Sequence, residues 1–140
     1  AQGAAATGAR MPAFELVDDR HTDYTRISSL ILTLIADNAW NAGIVLGASV
    51  RDWQSLDLAA IRGVLKLNGA VAGEGHGRDV LGHPLDALAW LVNTLAGQGK
   101  SMTKDMVVMT GSMIATKFVN PGDHLAFSVE GIGEVSVSLE

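Results

Sequence analysis

The sequence predicts an α+β domain in which strands outnumber helices and one amphipathic helix lies against them. Three observations carry this. Asn68-Gly69 stands between two apolar runs, RGVLKL and AVAGEG, the local signal of a tight hairpin. Leu85, Leu88, Ala89, Val92, Leu95 and Ala96 recur at helical spacing behind Pro84. Near the end, Leu125, Phe127 and Val129, then Val135, Val137 and Leu139, alternate with polar or small residues as strands do.

The elements follow in chain order. Residues 1–10, AQGAAATGAR, carry no initiator methionine and no apolar core of a signal peptide, so they read as a linker or the scar of a longer chain. Pro12 to Val17 reads as a strand holding one carboxylate, Glu15, and DDRHTD as the loop after it. Ile27 to Asn41 reads as helix or helical turn, with Ser28 and Ser29 as cap candidates. GIVLGA, 43–48, is a short buried strand bounded by glycines. Pro84 opens the helix, Asp86 sits in its first turn, and Gly97 and Gly99 close it. MVVMTG, 106–111, reads as a further strand, and Pro121-Gly122-Asp123 as a turn before the last two.

Composition narrows function. At 140 residues the chain is one domain long, and 48% hydrophobic against 18% charged residues is the balance of a globular protein. A net charge of −5 with no basic run argues against nucleic acid or an anionic membrane as partner. The absence of cysteine removes disulfides and thiolate metal sites. The longest apolar run, Leu30 to Ala36, is too short to cross a bilayer.

Several motifs invite chemistry. GQGKS at 97–101 follows a helix, where a phosphate loop must follow a strand. GEGHG at 73–77 reads either as a backbone cradle for an anion or as a flexible or bulged strand end. Of the four histidines, His21, His76, His83 and His124, no pair has zinc-site helical spacing. His83, before Pro84, reads as a helix cap or as an anion-side residue at a helix start. Glu15 among Phe14, Leu16 and Val17 is either a solvent-facing strand glutamate or a ligand in need of partners. Asp37 and Asn38 cap the apolar run before them or line a pocket.

Taken together, PAFELVDDR, IADNAWNAGIVLG, LGHPLDALAWLVNTLAGQGK and MVVMTGSM, with the PGD turn, resemble the C-terminal part of 2-keto-4-pentenoate hydratases. The closely similar 4-oxalocrotonate decarboxylases belong to the same fumarylacetoacetate hydrolase-like superfamily. The resemblance runs from about Met11 to the end and implies a β-rich mixed α/β roll around a divalent-metal site. It implies Mg2+ or Mn2+ as cofactor, with Glu15 as one of three acidic ligands. It further implies Thr110 and Ser112 as catalytic residues, and Asp37, Asn38, Gly111 and His83 as substrate-binding ones. The substrate implied is a small keto- or hydroxy-dienoic acid of aromatic catabolism, handled by a cytoplasmic homo-oligomer.

Two departures stand out. No Glu-x-Glu precedes Glu15, so the resemblance implies that about half the usual chain, with two metal ligands and the family's lysine, lies outside this sequence. Trp40 and Asn41 stand where the family commonly carries serines. The alternatives to a hydratase are a decarboxylase, a carbon–carbon bond hydrolase of the same superfamily, and a non-catalytic fragment.

Overall fold

A computed structural model describes residues 2–20 and 22–140; His21 lies outside the described residues. Helices α1 (Gln2–Ala6), α2 (Ile31–Ala36) and α3 (Pro84–Gly97) accompany six strands: β1 (Ala13–Val17), β2 (Asn41–Leu46), β3 (Arg62–Leu67), β4 (Ala70–His76), β5 (His124–Val129) and β6 (Gly133–Ser138). All ladders among the described residues are antiparallel. β1 and β2 form a two-stranded sheet, and the other four run in the order β4-β3-β5-β6. The α+β class and the strand-rich layout match the sequence expectation.

Local chemistry explains the turns. Asn68 and Gly69 both take left-handed backbone, φ 50° and 84°, as a two-residue hairpin turn of the primed type requires. The Asn68 side chain also reaches across the sheet. Its Nδ2 donates to Asp123 Oδ1 at 2.8 Å, and its Oδ1 accepts from His124 N at 2.9 Å. The β3–β4 hairpin is thereby tied to the Pro121-Gly122-Asp123 turn.

One face of the four-stranded sheet is apolar: Leu65, Leu125, Val129 and Val135 are buried there. Phe14 of β1 meets Phe127 of β5, ring centroids 6.1 Å apart, and joins the two sheets. Trp53, Leu58, Ile61 and Val129 form the core cluster, with Ala4, Leu85, Met113 and Phe127 packed on it. The guanidinium of Arg10 lies 4.6 Å from the Trp53 ring, and burial lowers its pKa.

Within segment 1–10, α1 places Ala4 on the core, and Arg10 pairs with Val50. Three expectations are corrected. Ser28 and Ser29 do not cap α2; they sit in a 3-10 turn, Tyr24–Ser29, and the Ser29 hydroxyl donates to Arg26 O. β2 is half open rather than buried, because Ile44 and Leu46 face outward. MVVMTG forms no strand. Between α3 and β5 the chain joins no ladder, and Met106, Val107 and Met109 stay largely exposed.

Candidate functional site

An open cleft of about 2130 Å³ runs between β1, α3 and the segment 102–119, with the apolar sheet face at its floor. The predicted α3 face turns toward it. Leu88 is buried, and Ala89 and Val92 line the wall.

Glu15 borders this cleft, and its side chain stands exposed on the outward face of β1. Alternation along β1 sends Phe14 to Phe127, so Glu15 must point the other way. The amide of Asn41 donates to Glu15 Oε1 at 2.9 Å. Asp18 and Asp19, next along the chain, line the same cleft. Asp19 accepts a 2.8 Å hydrogen bond from the Tyr24 hydroxyl, and that bond raises the phenol's pKa.

The turn Thr110-Gly111-Ser112 lines the cleft as well. Gly111 has φ 124°, a conformation for which glycine is suited, and a Cβ there would stand 3.1 Å from Val80 Cγ1. Ser112 Oγ donates to Ile114 O and accepts from Ile114 N at 3.2 Å. Its one proton is therefore engaged within the turn.

The sheet below explains why this turn sits where it does. Gly63 and Gly75 face each other across β3 and β4, and Gly73 lies opposite Leu65. A Cβ on Gly75 would be 2.0 Å from Met113 O, and one on Gly73 would be 2.5 Å from Ile114 Cγ2. One on Gly63 would be 2.8 Å from Met113 Sδ. The glycines form a trough in which residues 113–114 lie directly on the strands. GEGHG thus serves close backbone approach, a use that neither sequence reading of the motif included.

The other expected site residues are not gathered here. Asp37 pairs with Arg20 and lines a separate hollow with Thr33 and Trp40. Asn38 lies in the left-handed turn that follows, away from the cleft lining. His83 takes the capping alternative: its Nδ1 accepts from Leu85 N at 3.0 Å at the start of α3. Sequence reasoning missed Asn41 as the partner of Glu15, because only the strand register brings them together.

A divalent cation takes about six oxygen ligands, mostly carboxylates, carbonyls and water. Glu15 fits one such place, being exposed to the cleft and in no ion pair among the described residues. Among the described residues no three His, Cys, Asp or Glu side chains gather to hold an ion.

Fold and cleft define a class, and comparison with known proteins agrees. Residues 21–140 match the model of the fumarylacetoacetate (FAA) hydrolase C-terminal family, and the chain belongs to that family. Within it, the chain is 38% identical over 135 residues to a 2-hydroxyhexa-2,4-dienoate hydratase of Comamonas testosteroni, covering 96% of this chain and 50% of that one. It is 33% identical over 126 residues to a 4-oxalocrotonate decarboxylase of Pseudomonas putida, covering 90% and 47%. The fold also superposes on the 4-oxalocrotonate decarboxylase of Pseudomonas putida G7 complexed with magnesium and adipate. That match has a TM-score of 0.81 and 32% identity, over 94% of this chain and 49% of that one. The chain spans about half the length of the curated relatives it matches.

Proposed function

We propose that this chain contributes to a divalent-metal-dependent hydro-lyase that adds water to a small 2-hydroxy-dienoate or its 2-keto tautomer. One observation carries the reading: Glu15 and the Thr110-Gly111-Ser112 turn border one cleft. The hydratase names among the relatives support it.

The reaction balances as a tautomerisation followed by an addition. The 2-hydroxyl loses a proton and C5 gains one, leaving a 2-oxo-3-enoate. Water then adds its oxygen to C4 and a proton to C3. A bound Mg2+ or Mn2+ would supply Lewis acidity for the developing enolate. Glu15 would provide one carboxylate oxygen toward that ion. The Thr110 hydroxyl and the Gly111 N–H donate to the substrate carboxylate, which glycine lets approach closely. Ser112 orients water, and to do so its hydroxyl must leave Ile114 O. The enzyme so read is a cytoplasmic homo-oligomer.

Decarboxylation of 4-oxalocrotonate is the second reading, favoured by the decarboxylase structure on which the fold superposes. Incubation with magnesium and 2-hydroxypenta-2,4-dienoate separates the two. Loss of dienoate absorbance with formation of a 4-hydroxy-2-oxo acid identifies the hydratase, and carbon dioxide release from 4-oxalocrotonate identifies the decarboxylase. Neither product, together with no binding of either acid, refutes the proposal.

A further inference from the structure

Segment 106–111 has the composition of a strand but joins no ladder, and its backbone shows what it lacks. Asp105 and Gly111, with φ of 68° and 124°, bound it, and no residue between them has positive φ. From Val107 to Val119 no backbone N–H or C=O bonds to another backbone group among the described residues. These groups are obligatory donors and acceptors, and a row of them on an apolar segment is a template for a further strand. Met106, Val107 and Met109 are largely exposed beside them.

The segment is anchored at both ends. Beyond it, Met113 and Ile114 lie on the trough of Gly63, Gly73 and Gly75. Before it, Thr103 N donates to Met106 Sδ at 3.3 Å. A strand that adds here meets a held partner, which lowers the ordering cost of association. The bordering cleft, about 2130 Å³, exceeds the roughly 300–1,000 Å³ of a small-molecule site. All five methionines of the chain, Met11, Met102, Met106, Met109 and Met113, line it. Thioether side chains re-pack readily, and surfaces rich in them accept polypeptide.

From these observations we infer that residues 106–111 take up a strand of polypeptide other than these 140 residues, by β-augmentation. The strand is apolar at alternate positions and carries carboxylates near its ends. Lys104 and Lys117 call for those carboxylates: both line the cleft, and neither is in an ion pair among the described residues. The matched relatives have about twice the length of this chain, and the occupant is polypeptide of the kind they carry outside the match. A second copy of this chain fits less well, because it brings the same lysines and sets like charges together. The inference does not depend on the small-acid reading of the cleft.

The test uses the full chain and, as probe, the part of the Comamonas testosteroni hydratase outside the 135 matched residues. The two are refolded together from urea and followed by gel filtration and amide hydrogen exchange. A complex of one chain with one probe forms, and exchange from Val107 to Gly111 slows by more than about tenfold. Val108→Pro and Met109→Pro remove N–H groups from opposite edges of an extended segment, and at least one weakens the complex about tenfold or more. Lys104→Glu combined with Lys117→Glu leaves the backbone intact, weakens the complex in low salt, and serves if the proline variants do not fold. No complex, a complex without protection at 107–111, or full affinity in either the proline variants or the lysine pair overturns the inference. Protection that grows with chain concentration in the absence of the probe makes a second copy the occupant and overturns it as well.

Discussion

Replacing Gly75 by alanine sets two effects of opposite sign against each other, and the structure decides between them. Glycine inside a strand costs about 0.5–1 kcal/mol relative to alanine, so propensity alone predicts a more stable protein. The added Cβ, however, would lie 2.0 Å from Met113 O, whereas real Cβ contacts essentially never fall below 3.0 Å. The partner is main chain, so at least 1.0 Å of backbone movement is needed to reach that limit. Overpacking of this kind costs about 1–3 kcal/mol. The net expectation is destabilisation by about 1–2 kcal/mol. Gly43 in β2 is the internal control, since a Cβ there meets nothing within 4 Å. Gly43→Ala should be neutral or stabilising by up to about 1 kcal/mol. Urea unfolding of the three proteins, compared at equal m, measures both differences. A Gly75→Ala protein as stable as the wild type would refute the trough. So would an unchanged environment of Thr110 and Ser112 in its NMR spectrum.

Two further outcomes follow from local backbone and charge. Ala39 pays a left-handed penalty of about 1–2 kcal/mol that glycine largely escapes, so Ala39→Gly should raise the unfolding midpoint by a few °C. A lowered midpoint would mean that the turn is not left-handed in solution. Asp123 is held below its ordinary value of 3.8, first by the hydrogen bond from Asn120 N and then by that from Asn68. A carboxyl depressed on folding stabilises above its unfolded value and loses that contribution as pH falls through the folded one. Asp123→Asn should therefore be less stable than the wild type at neutral pH, and the gap should close below pH 3.8. A constant gap in thermal scans from pH 7 down to pH 2 would contradict the assignment.

Much of the fold was legible because its signals are local. Asn68-Gly69 needs left-handed backbone, which asparagine and glycine adopt most readily. Pro84 and the spacing of Leu85, Leu88 and Val92 specify a helix and its inward face. Of the candidate site, the sequence showed only part of the grouping that the fold produces. Glu15, Thr110, Gly111 and Ser112 line one cleft, while Asp37 is taken by Arg20 and His83 by the α3 N-terminus.

What the amino-acid order determined by itself was therefore the hairpin, the long helix, the final pair of strands and the family to which they belong. Each depends on residues close in the chain or on the order of several blocks. The tertiary structure alone decided three matters. MVVMTG, apolar enough for a strand, joins no ladder, and the chain just beyond it lies on the backbone of a glycine trough that only pairing of β3 with β4 creates. GEGHG became the floor of that trough because Gly75 comes to face Gly63. Asn41 reached Glu15, 26 positions away, because one extra residue in β2 reverses which face its side chain takes. Strand side chains alternate with period two, so a single-residue bulge changes every assignment beyond it, and no local pattern records where it falls.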